Sequence, residues 1–115
     1  MPRGLKIKDS APASVVRGAQ NLGVRIQIAR KRRRIPQREL AERAGIAYET
    51  ERAAEAGSLS TGIGAYLALI WALGLEREVE SLLDPDRDIE GKTLELVRLP
   101  LRVRKRKRDV LDSDF

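Results

Sequence analysis

Apolar residues recur every three or four positions from Leu22 onward, a spacing typical of helices that bury one face. A first helix is predicted to begin near Val15. In its second half Ile26, Ala29 and Arg30 share a face with Leu22, and basic residues occupy the opposite face. The pattern predicts one long amphipathic helix with cations on its outer side.

Glycine and proline divide the following chain into shorter helices. Four further helices are predicted over residues 36–44, 47–56, 63–73 and 76–83. Gly45 and Gly57 stop the second and third helices, and the last of the four is expected to present Val79, Leu82 and Leu83 inward. Residues 92–99 are predicted as a final short helix, with an edge strand as the alternative. The chain is therefore predicted to be all-α, with five principal helices.

Three regions are expected along the chain. Residues 1–14 are small and polar with two prolines, and are predicted to be a flexible segment. Residues 15–83 form the helical domain. Residues 84–115 form a C-terminal extension that ends in a basic tail. A length of 115 residues allows one domain with a modest core.

The composition excludes several kinds of chemistry. The chain has no cysteine and no histidine, so it lacks a thiolate nucleophile and the commonest metal ligand and general base. No glycine-rich phosphate loop or serine nucleophile motif is present. We therefore expect neither an enzyme nor a bound cofactor or metal. No apolar run approaches the roughly 20 residues of a membrane-spanning helix, and no signal-peptide pattern is visible, so a cytoplasmic location is expected.

The net charge of +6 favours an anionic partner, and the charges are sorted into blocks. Residues 25–34 carry six bases and no acid, whereas residues 76–90 carry seven acids. A second basic block comprises Arg102, Arg104, Lys105, Arg106, Lys107 and Arg108. This tail fits an arm on phosphates or in a minor groove, a solubilising tail, or a segment that docks on an acidic partner.

Residues 35–57 combine two short predicted helices, a glycine turn and preceding cations, an arrangement suited to placing the second helix in the major groove of DNA. The segment from Leu22 to Leu75 resembles the XRE family of lambda-repressor-like helix-turn-helix domains. The resemblance is carried by LGVRIQIARKRR, IPQRELAERAGI, Gly57 and GAYLALIWALGL. Within that family, the DPDRD segment at residues 84–88 and the following basic tail are most similar to HipB-like antitoxins.

The resemblance implies a five-helix domain that forms a homodimer on a palindromic operator in double-stranded DNA and represses its own operon. It further implies the antitoxin of a type II toxin–antitoxin pair, with a HipA-like kinase as the toxin. The alternative is a protein-binding module that keeps the fold but has weak or lost operator binding.

The resemblance also assigns candidate DNA contacts. They are Gln37, Arg38, Ala47, Tyr48, Glu49, Arg52 and Ala53. Arg33 and Arg34, from the basic run that precedes these helices, are expected to hold phosphates. Arg38 would lie on the phosphate backbone and Gln37 on a phosphate or base edge. Arg52 would bind guanine, Glu49 would accept from cytosine N4, and Tyr48 would pack on a thymine methyl group or bond a phosphate.

The predicted reading helix departs from the family pattern at two positions. Glu51 and Ala54 stand where the family has large apolar residues. Because a buried, unpaired carboxylate is costly, the helix would have to rotate, loosen or lift Glu51 into water. Three glutamates against Arg52 also give this helix a net charge of −2, which opposes DNA. A shifted register, weakened DNA binding and an altered reading helix remain as explanations, and we favour weakened binding.

Overall fold

The computed structural model describes residues 7–98, except the side chain of Lys8, and all regular structure in that range is helical. The all-α prediction is thus confirmed for these residues, and the edge strand considered for residues 92–99 is absent from the part of that range described. Within this range there are seven α-helices and one 3-10 turn, compared with the five principal helices and one short C-terminal helix predicted. They are α1 (Ile7–Ser10), α2 (Ala13–Arg32), α3 (Gln37–Ala44), α4 (Tyr48–Glu55), α5 (Ile63–Ala72), α6 (Glu76–Glu80), the 3-10 turn Pro85–Arg87, and α7 (Ile89–Arg98).

The helices divide into two units, one up to Val79 and one from Glu80 onward. In the first unit α3 packs against α4 and α5, and α2 packs against α4. Their inward faces form one apolar core. The core residues are Ile26, Ala29, Ile35, Leu40, Ala54, Tyr66, Leu69 and Leu73. The periodicity of the first predicted helix placed Ile26 and Ala29 on its inward face, and both lie in this core.

Helices α2 and α4 approach closely where α2 has a glycine. A Cβ atom on Gly23 would overlap the carbonyl oxygen of Glu55 and would lie 2.7 Å from that of Ala54. No larger residue fits at this contact without moving one of the helices. Gly23 lowers helix propensity, but it is the residue that lets the C-terminal end of α4 reach α2.

A three-residue turn joins α3 to α4. Gly45 has the left-handed backbone conformation, with φ 74°, and the amide of Ile46 donates to the carbonyl of Ala41 at 3.0 Å. Helix α4 begins at Tyr48, directly after Ala47. The predicted sequence of short helix, glycine turn and short helix is present, with each helix eight residues long.

The termini of the described range differ from the sequence prediction. Helix α1 lies within the segment expected to be flexible. Helix α6 ends at Glu80, not Leu83, and Leu82 and Leu83 are exposed by 63% and 97% instead of facing inward. The backbone explains this early end, because Leu83 adopts a φ of 57° and Pro85 favours an extended residue before it.

The second unit contains the 3-10 turn and α7, which are in contact. Asp84 accepts a hydrogen bond from the amide of Asp86, and Asp88 accepts one from the amide of Gly91. These short-range bonds explain why α7 begins at Ile89, earlier than the predicted Lys92. Among the described residues, no helix combines the length and apolar character needed to cross a membrane.

Candidate nucleic-acid interface

The exposed side of α4 lies beside the first turn of α3 and carries most of the candidate DNA contacts. Arg38, Glu49 and Arg52 are exposed, and Tyr48 is half-buried. Ala47 precedes the helix and is exposed, whereas Ala53 is half-buried on the side of α4. Arg38, Glu49 and Arg52 are therefore accessible to a partner, whereas Tyr48 and Ala53 are only partly accessible.

The ring of Tyr48 contacts two guanidinium groups. The Arg38 guanidinium carbon lies 4.0 Å from the ring centroid, and that of Arg52 lies 5.7 Å from it. Both distances fall within the roughly 6 Å over which a cation is attracted to an aromatic face. Glu39, the acid that follows Arg38, pairs with Arg43 instead. One aromatic ring thus joins cations from both helices.

Arg33 and Arg34 lie where α2 ends, and both are exposed. Arg33 donates from Nη1 to the carbonyl of Ala29 at 2.8 Å, which satisfies one of the last carbonyls of α2. Arg34 has a φ of 55° and forms the turn that leads to α3. Lys31 and Arg32 are exposed on the last turn of the same helix, so this end of α2 is strongly positive.

Arg30 belongs to the same basic run in the sequence, but its side chain is buried. Its Nε and Nη2 donate to the two carboxylate oxygens of Glu55, at 2.6 and 3.1 Å. Its Nη1 donates to the carbonyl of Ile35 at 3.0 Å. This bidentate pair joins the end of α2 to the end of α4 and to the turn before α3, so Arg30 holds the interface helices together from inside.

Gln37 lies at the start of α3 and is half-buried. Its side-chain amide donates to Glu55 Oε1 at 3.1 Å. Burial alone would raise the pKa of Glu55, but hydrogen bonding, first of all from Arg30 and also involving Glu51 and Gln37, outweighs it and lowers the pKa. The amide predicted to contact DNA therefore already has a partner within the protein.

Glu51 is fully buried, at 0% exposure, so the expectation that it is lifted into water was wrong. Its Oε2 lies 3.9 Å from Arg30 Nε, too far for a hydrogen bond, and neither oxygen has a hydrogen-bond partner among the described residues. Burial raises the pKa of Glu51 to about 8, the nearby Glu55 adds to the rise, and Arg30 opposes it. The helix keeps its register because the side chain can be buried as a neutral acid.

The burial of Glu51 and the pairing of Glu55 with Arg30 change the charge that α4 presents to a neighbouring molecule. At neutral pH Glu51 is mostly protonated, and Glu55 is neutralised by Arg30 behind the helix. The exposed charges of α4 are then Glu49 and Arg52, which cancel. The net charge of −2 counted in the sequence is therefore not presented on the outer face of α4.

The remaining predicted features concern the tail and metal binding. The basic tail comprising Arg102, Arg104, Lys105, Arg106, Lys107 and Arg108 lies outside the described residues. Within residues 7–98 no group of three or more acidic side chains is placed to hold a metal ion.

Comparison with known proteins gives no relative for this chain. No protein-family model matches it, and neither the curated proteins nor the solved structures contain a significant match.

Proposed function

We propose that the protein is a sequence-specific DNA-binding repressor whose first unit has a lambda-repressor-like helix-turn-helix fold. The observation that carries the proposal is the exposed side of α3 and α4, where Arg38, Tyr48 and Arg52 are accessible. Two of the three acids of α4, Glu51 and Glu55, are buried behind that side, the first mostly protonated and the second paired with Arg30. The charge of α4 thus presents no net opposition to a polyanion.

The proposed complex places α4 in the major groove. Arg52 donates two hydrogen bonds to a guanine edge, and Glu49 accepts one from cytosine N4. Arg33 and Arg34 at the end of α2, with Arg38 on α3, contact phosphates and fix the position of the domain without specifying sequence. Gln37 contributes mainly by holding Glu55 in place.

Helix α5 supports the proposal of a homodimer on a palindromic site. It contains no charged residue, yet it buries only Tyr66 and Leu69 fully and leaves Ile63 and Trp71 exposed by 71% and 60%. Helices that are apolar all round are normally covered on all sides. A second copy of the chain on this helix would cover it and give the two-fold symmetry that a palindrome requires.

Protein binding is the second candidate function, and α7 supports it. This ten-residue helix buries no residue, and its apolar residues are all exposed. They are Ile89, Leu94, Leu96 and Val97. Short helices are marginal in water unless an apolar face packs against something. A kinase-like toxin is the partner that the family resemblance implies, which would make the protein an autoregulating antitoxin.

We expect Arg52→Ala to weaken binding to the preferred duplex by about 1–3 kcal/mol while binding to unrelated duplexes changes little, because a bidentate contact to guanine specifies sequence. The preferred duplex would be selected with the wild-type protein from DNA upstream of its gene and from a randomised pool. Affinities would be measured by fluorescence anisotropy, and sedimentation would show whether two chains bind each duplex.

Arg77→Ala is the matched control for Arg52→Ala, because it removes the same charge from an exposed position on α6. It should reduce binding to both kinds of duplex slightly and equally. Wild-type protein that retains no sequence preference at any salt concentration would contradict the proposed function and leave protein binding as the better explanation.

A chain shortened to residues 1–101 tests the basic tail. If the cations of the tail neutralise phosphates, the shortened chain should bind all duplexes more weakly. The salt dependence of its affinity should also fall by about 0.9 in log–log slope for each phosphate that the tail neutralises in the full chain. The measurement is a salt titration of affinity on preferred and unrelated DNA. An unchanged slope would favour the solubilising or protein-docking role of the tail.

A further inference from the structure

The Tyr48 ring occupies an unusual position between two arginines of neighbouring helices. Arg38 belongs to the first turn of α3, whereas Tyr48 and Arg52 lie one turn apart on α4. The two guanidinium carbons lie 4.0 and 5.7 Å from the ring centroid. The ring therefore contacts a cation from each of the two helices.

Among the described residues, no acid forms an ion pair with either arginine. The ion pairs among residues 7–98 involve Arg30, Arg43 and Lys92, and none involves Arg38 or Arg52. Because both side chains are exposed and lack a carboxylate partner, their positive charge is available to an external anion. The aromatic contact can restrict where these long side chains point without neutralising them.

The contact also bears on what Tyr48 itself can bind. A guanidinium at 4.0 Å from the centroid covers the ring on that side, so a base or a thymine methyl group cannot pack there while Arg38 stays in place. The half-buried position of Tyr48 reduces its accessible surface further. Direct base contact is therefore a poorer explanation for this residue than support of its neighbours.

We propose that Tyr48 is a positioning residue that holds Arg38 toward a phosphate and Arg52 toward a base edge, and does not itself read the DNA. The inference rests on the proposed DNA-binding function and adds a determinant of its specificity. Holding both side chains before binding lowers the conformational entropy lost when their hydrogen bonds form. The reduction in lost entropy is greatest for the planar guanidinium group of Arg52, since two parallel hydrogen bonds require one orientation.

The test compares Tyr48→Phe with Tyr48→Leu, in the full chain and on the duplex selected with the wild-type protein. Phenylalanine keeps the ring and should bind within about twofold of wild type. Leucine removes the ring and should weaken binding by about tenfold, since each exposed cation–π contact corresponds to roughly a two- to fivefold effect. Comparable unfolding midpoints for the two variants would show that lost fold stability does not cause the difference.

A mutant cycle separates positioning from direct contact. If Tyr48 acts through its neighbours, Tyr48→Leu should have no further effect on affinity in a chain that also carries Arg38→Ala and Arg52→Ala. The same tenfold loss in both backgrounds would overturn the inference, because the ring would then contact DNA itself. Equal losses for Tyr48→Phe and Tyr48→Leu would also overturn it, by assigning the effect to the hydroxyl group.

A second measurement needs no DNA. In the free protein, NMR should show the δ-methylene protons of Arg38 and Arg52 shifted upfield by the ring current in wild type and Tyr48→Phe, but not in Tyr48→Leu. Absence of these shifts in wild type would overturn the positioning role. Failure of the wild-type protein to bind DNA selectively would contradict the proposed function instead, so the two failures are distinguishable.

Discussion

Replacing Arg30 with methionine should lower the free energy of unfolding by about 3–5 kcal/mol, the usual effect of removing one partner from a buried ion pair. Arg30 donates to both oxygens of Glu55 and to the carbonyl of Ile35. Without it, Glu55 and Glu51 would be left in the same buried site without a cation. Urea denaturation at pH 7, followed by circular dichroism, would measure the change.

Arg32→Met is the matched control for this prediction, because Arg32 is an exposed arginine on the last turn of the same helix. Its effect on stability should stay within about 0.5 kcal/mol. Arg30→Lys should lie between the two, since an ammonium keeps the charge but not the bidentate geometry. A loss below about 1 kcal/mol for Arg30→Met would show that the pair contributes little to the fold.

A triple variant distinguishes two causes of lost stability in Arg30→Met, the uncompensated buried charge and the loss of packing. Combining Arg30→Met with Glu51→Leu and Glu55→Leu replaces the whole buried charged group with apolar side chains. Such replacements are often neutral or stabilising in other proteins. We therefore expect the triple variant to recover most of the stability that Arg30→Met loses, which a pure packing defect at Arg30 would not allow.

Local sequence patterns predicted the helical unit well. The positions of α2 to α5 follow from apolar spacing and from glycines at the helix ends, and the structure places those helices within a few residues of the prediction. The short-range signals are strong there because each helix buries a regular set of residues in one core. The same signals found α6 and α7 but misplaced the end of α6 and the start of α7 by three residues each, because little is buried there and the backbone follows turn chemistry instead.

The buried charged group could be predicted only in part. Arg30 shares the inward face of its helix with Ile26 and Ala29, and this periodicity was the one sequence signal that it is not a surface cation. Its partner Glu55 lies 25 residues further along the chain, and no local rule connects the two. The pairing depends on the close approach of α2 and α4 at Gly23, which only the folded arrangement reveals.

Glu51 is anomalous in the sequence, but the expectation that it would be exposed to water was wrong. Because burying a charge is costly, a helix that rotates, loosens or exposes Glu51 was one explanation considered. The protein instead buries the acid where protonation removes the charge. Protonating Glu51 costs less free energy than rotating a helix whose other inward residues already pack in the core. The register is therefore retained.

Glu51→Leu should raise the free energy of unfolding by about 3 kcal/mol at pH 7, mainly by removing the proton uptake that folding requires. In the unfolded chain Glu51 titrates near its ordinary value of 4.5, whereas in the folded protein its pKa is about 8. Between these values the folded state binds the extra proton. Stability of the wild type should therefore fall by roughly 1 kcal/mol for each pH unit as the pH rises from 5 to 8.

Glu55 affects the stability of the fold in a lower pH range than Glu51 does. Its folded pKa is lowered, so the stability it contributes is present above its ordinary value of 4.5 and is lost as the pH falls through its folded pKa. The two carboxyl groups together predict maximum wild-type stability near pH 5. Glu51→Leu should remove the loss on the alkaline side and keep most of the loss on the acidic side, because Arg30 and Gln37 still pair with Glu55.

Denaturation of wild type, Glu51→Leu and Glu51→Gln at several pH values between 4 and 9 would measure both effects. Glutamine removes the titration but leaves a buried amide without partners, so it should flatten the pH dependence while stabilising the fold less than leucine. A wild-type stability that stays constant from pH 5 to 8 would contradict the raised pKa. It would mean that Glu51 is ionised in the folded protein, and the negative charge on α4 would again oppose DNA binding.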